Sequence, residues 1–65
     1  MFEINAILAE KFTPHGEVIR MKQVVKIYLN TEQGVMNFID EQKPFVKIEI
    51  KDTVTKEDKT PFFLG

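Results

Sequence analysis

A chain of 65 residues makes one domain near the lower size limit for independent folding, where a disulfide, a metal or a partner chain usually supplements the core. There is no Cys and a single His, His15, which excludes disulfides and the usual His/Cys zinc sites and leaves a partner chain, or an unusually good core, as the supplement. An apolar content of 43% with six Phe argues against disorder, and a net charge of −1 gives no global pull toward nucleic acid or an anionic membrane.

The first segment, Phe2 to Phe12, fits two periods. Phe2, Ile4, Ala6 and Leu8 alternate as in a strand; Ile4, Ile7, Leu8 and Phe12 also form a helical stripe. Thr13-Pro14-His15-Gly16 follows, and a tight turn between two apolar runs favours a hairpin, hence a strand. Glu17 to Leu29 is the second strand. Ile19, Met21, Val25, Ile27 and Leu29 share one parity; Val18, Arg20, Lys22, Val24, Lys26 and Tyr28 share the other. A four-residue loop, Thr13 to Gly16, sets Leu8 beside Met21, Ile4 beside Val25, Phe2 beside Ile27 and, on the outer face, Glu3 beside Lys26.

Asn30 to Gln42 reads as a helix, with Asn30 as cap, Gln33 as its capping-box partner, and Val35, Phe38, Ile39 and Gln42 along one face. Gly34 weakens its first turn, Lys43 suits the C-terminal dipole and Pro44 ends it. Phe45 to Lys51 alternates again, with Val46, Ile48 and Ile50 inward and Lys47, Glu49 and Lys51 outward. Asp52 to Thr60 is polar apart from Val54, and Pro61-Phe62-Phe63-Leu64-Gly65 is an apolar hook. The expected fold class is α+β: a small ββαβ domain over residues 1–51, with a three-stranded mostly antiparallel sheet and one helix on one face. Residues 52–65 are a polar loop and apolar tail that could add a short fourth strand. The third strand pairs either parallel to the second or antiparallel to the first.

Little here supports catalysis. With no Cys or Ser, five Thr remain as nucleophiles, and His15 would be their one imidazole base. His15 itself sits in a turn and reads as an exposed turn residue. Asp40 and Glu41 are adjacent, as are Glu57 and Asp58, and neighbours on a helix do not face one another. No Gly-rich phosphate loop or EF-hand spacing exists. The chain is therefore expected to be no enzyme and to need no cofactor or metal.

Two surfaces remain. Arg20, Lys22, Lys26, Lys47 and Lys51 would form a cationic sheet face flanked by Tyr28 and Phe45, the mixture that single-stranded nucleic acid uses. The same face carries Ile7, Val18 and Val24, more apolar surface than bare solvent exposure normally shows. The hook residues Phe62, Phe63 and Leu64 would cover the gap around Val24, Tyr28 and Phe45, in the same chain or a neighbouring one, with exchange between chains favoured. The leading expectation is a small non-enzymatic protein-binding module that forms a homo-oligomer, with another protein as the further partner. A nucleic-acid-binding accessory protein is the alternative. No apolar run approaches the roughly 20 residues of a membrane span and no leader pattern opens the chain, so a cytoplasmic protein with no membrane partner is expected. The lack of Ser and Trp beside plentiful Lys, Ile and Phe points to an AT-rich bacterial or phage genome.

Overall fold

The computed structural model describes residues 1–65. Its elements are β1 (Phe2–Leu8), β2 (Lys11–Phe12), β3 (Val18–Arg20), β4 (Gln23–Leu29), α1 (Glu32–Gln42), β5 (Phe45–Asp52) and α2 (Thr60–Leu64). β1 is the central strand of an antiparallel sheet ordered β4-β1-β5, and α1 lies on one face. The fold is thus the small α+β domain that the patterning indicates, with the third large strand antiparallel to the first. The period-2 burial of β1 resolves its ambiguity: Ile4, Ala6 and Leu8 are buried and their neighbours are not. They pack with Val35, Ile39, Ile48 and Ile50 as the whole of the fully buried core. No helix is long and apolar enough to cross a membrane.

The hairpin register differs from expectation by two residues. Leu8 faces Gln23, Ile4 faces Ile27 and Phe2 faces Leu29. Two one-residue steps produce the difference. Thr13, not Phe12, is opposed to Glu17, since its N–H donates to the Glu17 carbonyl at 2.8 Å, and the loop is Pro14-His15-Gly16. Gly16, at φ 86°, supplies the left-handed residue that such a three-residue loop needs. The second step is a bulge: Phe12 pairs with Val18 but Lys11 with Arg20, which leaves Ile19 unopposed. Either step alone would turn the apolar faces apart; together they restore the match.

Between the sheet and the β2–β3 ribbon both strands are interrupted, at Ala9–Glu10 and at Met21–Lys22. The alternation is released there. Ile19 and Met21, expected to face the core, are exposed instead. The molecule measures 44 × 19 × 19 Å with a radius of gyration of 12.9 Å, against about 11 Å for a compact chain of this length. A seven-residue strand covers only about 24 Å. The ribbon therefore stands out from the sheet as an arm.

α1 is capped by Thr31, not Asn30: its Oγ1 accepts from the Gly34 N–H at 3.0 Å. Gln33 bonds Asn37 rather than closing a capping box. A Cβ on Gly34 would lie 3.1 Å from Thr31 Oγ1, so glycine keeps the cap undisturbed. Val35 and Ile39 are buried and Phe38 packs beside them, as the helical stripe requires. In β5 the register against β1 shifts between Lys47 and Phe45, so Val46 is bulged outward and Phe45 turns in against the core, the reverse of the expected assignment.

The tail forms no fourth strand. Asp58 makes a single bridge to Lys51, the Lys59 N–H donates to the Ile50 carbonyl at 2.7 Å, and Thr60 Oγ1 accepts from the Ile50 N–H. The chain then turns into α2, with Pro61 in its first turn. The Phe63 ring meets Phe2 edge-on at 5.5 Å.

Candidate functional site: the hairpin and the open sheet face

The face of the sheet away from α1 is a three-by-three array. Its rows, in the order β4, β1, β5, are Tyr28–Glu3–Lys51, Lys26–Asn5–Glu49 and Val24–Ile7–Lys47. Pleating puts these alternate residues on one side. Glu3, central in its row, accepts from Asn5 Nδ2 at 3.0 Å and pairs diagonally with Lys26 at 3.5 Å. The bond from Asn5, with the Lys26 ammonium beside it, holds the Glu3 carboxyl below the usual range. The expected Glu3–Lys26 attraction thus survives the register change as a diagonal contact. Lys47 pairs with Glu49 at 2.9 Å.

The five cations of the nucleic-acid alternative therefore stand in different situations. Lys26 and Lys47 are ion-paired, Lys51 borders Glu3, and Lys22 is exposed at the interruption before β4. Arg20 is not on the open face. Its Nε and Nη2 donate to the Ala9 carbonyl at 3.1 and 2.9 Å. Nη1 reaches the Gln42 carbonyl at 3.0 Å and Gln42 Oε1 at 3.2 Å, and Nη2 reaches the Pro44 carbonyl at 2.6 Å. A guanidinium has five N–H donors, and these contacts occupy all of them. Arg20 is a brace. It ties the base of the arm to the end of α1 and the start of β5, and supplies at the α1 C-terminus the cation expected of Lys43. Lys43 pairs instead with Asp40 at 3.3 Å.

The six residues singled out for protein contact also divide. Val24, 80% exposed, and Tyr28 lie on the open face as expected. Phe45 and Phe63 are partly buried against the core on the α1 side. The hook thus docks within its own chain, on the helix side, where Phe63 and Leu64 border a groove with Met36, Ile39 and Phe45. No segment of this chain lies over the open face. Phe62 stacks edge-on against Phe63 at 4.9 Å and is itself exposed, as is Leu64.

Sequence reasoning missed the arm. Phe12, Val18, Ile19 and Met21 are all exposed on it, and with Val24 and Tyr28 they concentrate large apolar surface on one hairpin. The available signal is Gln23, which interrupts the apolar parity of that strand.

No chemistry-bearing cluster accompanies this surface. His15 is exposed in the turn, its N–H bonded to Thr13 Oγ1 at 3.3 Å. Asp40 and Glu57 are taken up by Lys43 and Lys59, and Asp58 accepts from the Thr60 N–H. No group of three His, Cys, Asp or Glu gathers where a metal could be held. Compared with protein-family models, curated proteins and solved structures, the chain matches none.

Proposed function

We propose that this chain is a small non-enzymatic protein-binding module that self-associates, with the hairpin as its contact surface. One observation carries the reading. Six large apolar side chains of the hairpin, Phe12, Val18, Ile19, Met21, Val24 and Tyr28, are each about half exposed or more. Full burial of such a side chain is worth about 1.5–3 kcal/mol. Exposed apolar side chains gathered on one hairpin are what a contact surface offers. The small core and the near-zero net charge agree with it, because a second copy adds buried area without strong repulsion.

Light scattering tests the proposal. The wild type is expected at a multiple of the 7.6 kDa chain mass. Ile19→Glu, Val24→Glu and Tyr28→Glu together should return it to a folded monomer. Met36→Glu, on the exposed margin of α1, should leave the mass unchanged. A monomeric wild type at the highest soluble concentration, or equal damage from Met36→Glu, defeats the reading.

A further inference from the structure

The sheet has two edges, and the chain treats them differently. The C-terminal half of the β5 edge is covered. Ile50 exchanges hydrogen bonds with Lys59 and Thr60, and the Asp52 N–H donates to the Glu57 carbonyl. The β4 edge has no such cover along its seven residues. Strand alternation fixes which groups it presents. The Met1 carbonyl accepts from Thr53, on the β5 side, so odd-numbered β1 residues bond toward β5 and even-numbered ones toward β4. Phe2, Ile4, Ala6 and Leu8 therefore bond Leu29, Ile27, Val25 and Gln23. The backbone N–H and C=O groups of Val24, Lys26 and Tyr28 are left pointing outward. An edge of this length without Pro or a bulge is a template for another strand.

The inner face of β4 is unfinished as well. Val25, Ile27 and Leu29 all point toward the α1 side, and each is only half-buried. An occupant must satisfy the edge and extend this aliphatic row. A second copy does both, since antiparallel self-pairing sets the row against itself.

The single edge charge and the aliphatic row together select the register. A twofold axis at Lys26 would set two ammonium groups opposite one another, which is destabilising. An axis at Val25 would oppose Gln23 to Ile27 on the aliphatic side, and one at Tyr28 would oppose Val25 to Thr31 there. An axis at Ile27 opposes Ile27 to Ile27 and Val25 to Leu29, and places Lys26 opposite the partner's Tyr28, a cation–aromatic pairing. We infer that β4 pairs antiparallel with β4 of a second copy about a twofold axis at Ile27, which makes one six-stranded sheet. This rests on the self-association reading and gives a geometry for its β4 part alone; Phe12, Val18, Ile19 and Met21 lie beyond the paired segment.

The absence of native Cys makes disulfide trapping clean. Ile27 would be a non-hydrogen-bonded pair, with Cα atoms about 4.5 Å apart, within disulfide range. Under mild oxidation Ile27→Cys should convert nearly all of the protein to a covalent dimer, and Val25→Cys should not. Lys26→Cys and Tyr28→Cys, both at exposed positions, should each cross-link poorly alone and efficiently when the two are mixed. That mixture decides the matter if Ile27→Cys folds badly. Trapping through Val25→Cys, Lys26→Cys or Tyr28→Cys alone overturns the inference. So does failure of both Ile27→Cys and the mixture in a protein that light scattering shows to be oligomeric, and self-association then stands with another geometry. A monomeric wild type removes both.

Discussion

Arg20 shows how far one side chain can depart from what its position in the sequence implies. Alternation places it among outward cations, yet it occupies all its donors on the carbonyls of Ala9, Gln42 and Pro44 and on the Gln42 side chain. Removing it takes the side-chain donors from the Ala9 and Gln42 carbonyls and leaves the Pro44 carbonyl to the Ala9 N–H alone. Arg20→Ala should cost about 2–3 kcal/mol in urea unfolding, and Arg20→Lys should recover little, because an ammonium cannot reproduce the planar fork. A cost below about 0.5 kcal/mol would show that the brace is dispensable. Asp52 is the corresponding case among the acids. Its Oδ1 accepts from the N–H groups of Val54 and Thr55 at 2.8 and 3.1 Å. Those bonds, Thr55 first and then Val54, hold its carboxyl below the ordinary value. A depressed carboxyl contributes stability that is present above its unfolded pKa, about 3.9, and lost as pH falls through the folded value. Glu3 and Asp58 shift in the same direction, Asp58 through its bonds to Thr60. Stability should therefore fall as pH drops below about 4, and Asp52→Asn should flatten part of that fall in acid titrations followed by circular dichroism. An unchanged acid limb would contradict the role given to the Asp52 turn.

Among the elements, the sequence shows most where period and turn chemistry agree. α1 and β5 are legible from their apolar spacing, and β1 from the Thr-Pro-His-Gly turn that decides between its two periods. The register was not legible, because a three-residue loop and a bulge at Ile19 each leave the residue types unchanged while moving the pairing by one. Parity survives two such steps, so the inward and outward assignments of β4 beyond Gln23 hold although every pairing differs. The bulge at Val46 has no compensating partner, and there the faces of Val46 and Phe45 exchange. Of the candidate site, Val24 and Tyr28 were visible from alternation. The arm is not, since Gln23 marks an interruption of the apolar parity but not that Ile19 and Met21 before it leave the core. The hook was legible as a docking segment but not its seat. α2 is only five residues long and is held by Phe63 against Phe2 and the core. Phe63→Ala should cost about 2 kcal/mol in thermal or urea unfolding, whereas Phe62→Ala should stay within about 0.5 kcal/mol. Deleting residues 61–65 should lower the melting temperature without changing the solution mass, because the hook docks in its own chain. Equal effects of Phe62→Ala and Phe63→Ala would contradict the seating.

As a whole the molecule is a small core with an arm. Seven buried residues from β1, α1 and β5 form its core, while the hairpin carries six large side chains that nothing in the chain covers. The charges of the open face are interleaved, with Glu3 and Glu49 among Lys26, Lys47 and Lys51, so its field is mixed rather than cationic. Association through such a surface rests on apolar burial and strand pairing, which salt does not screen. The most direct test is the solution mass of the wild type across a protein-concentration series at low and at high salt. An oligomer is expected whose mass grows with protein concentration and whose association is unchanged or strengthened by salt. A 7.6 kDa monomer throughout, or an oligomer that dissociates as salt is raised, would contradict it.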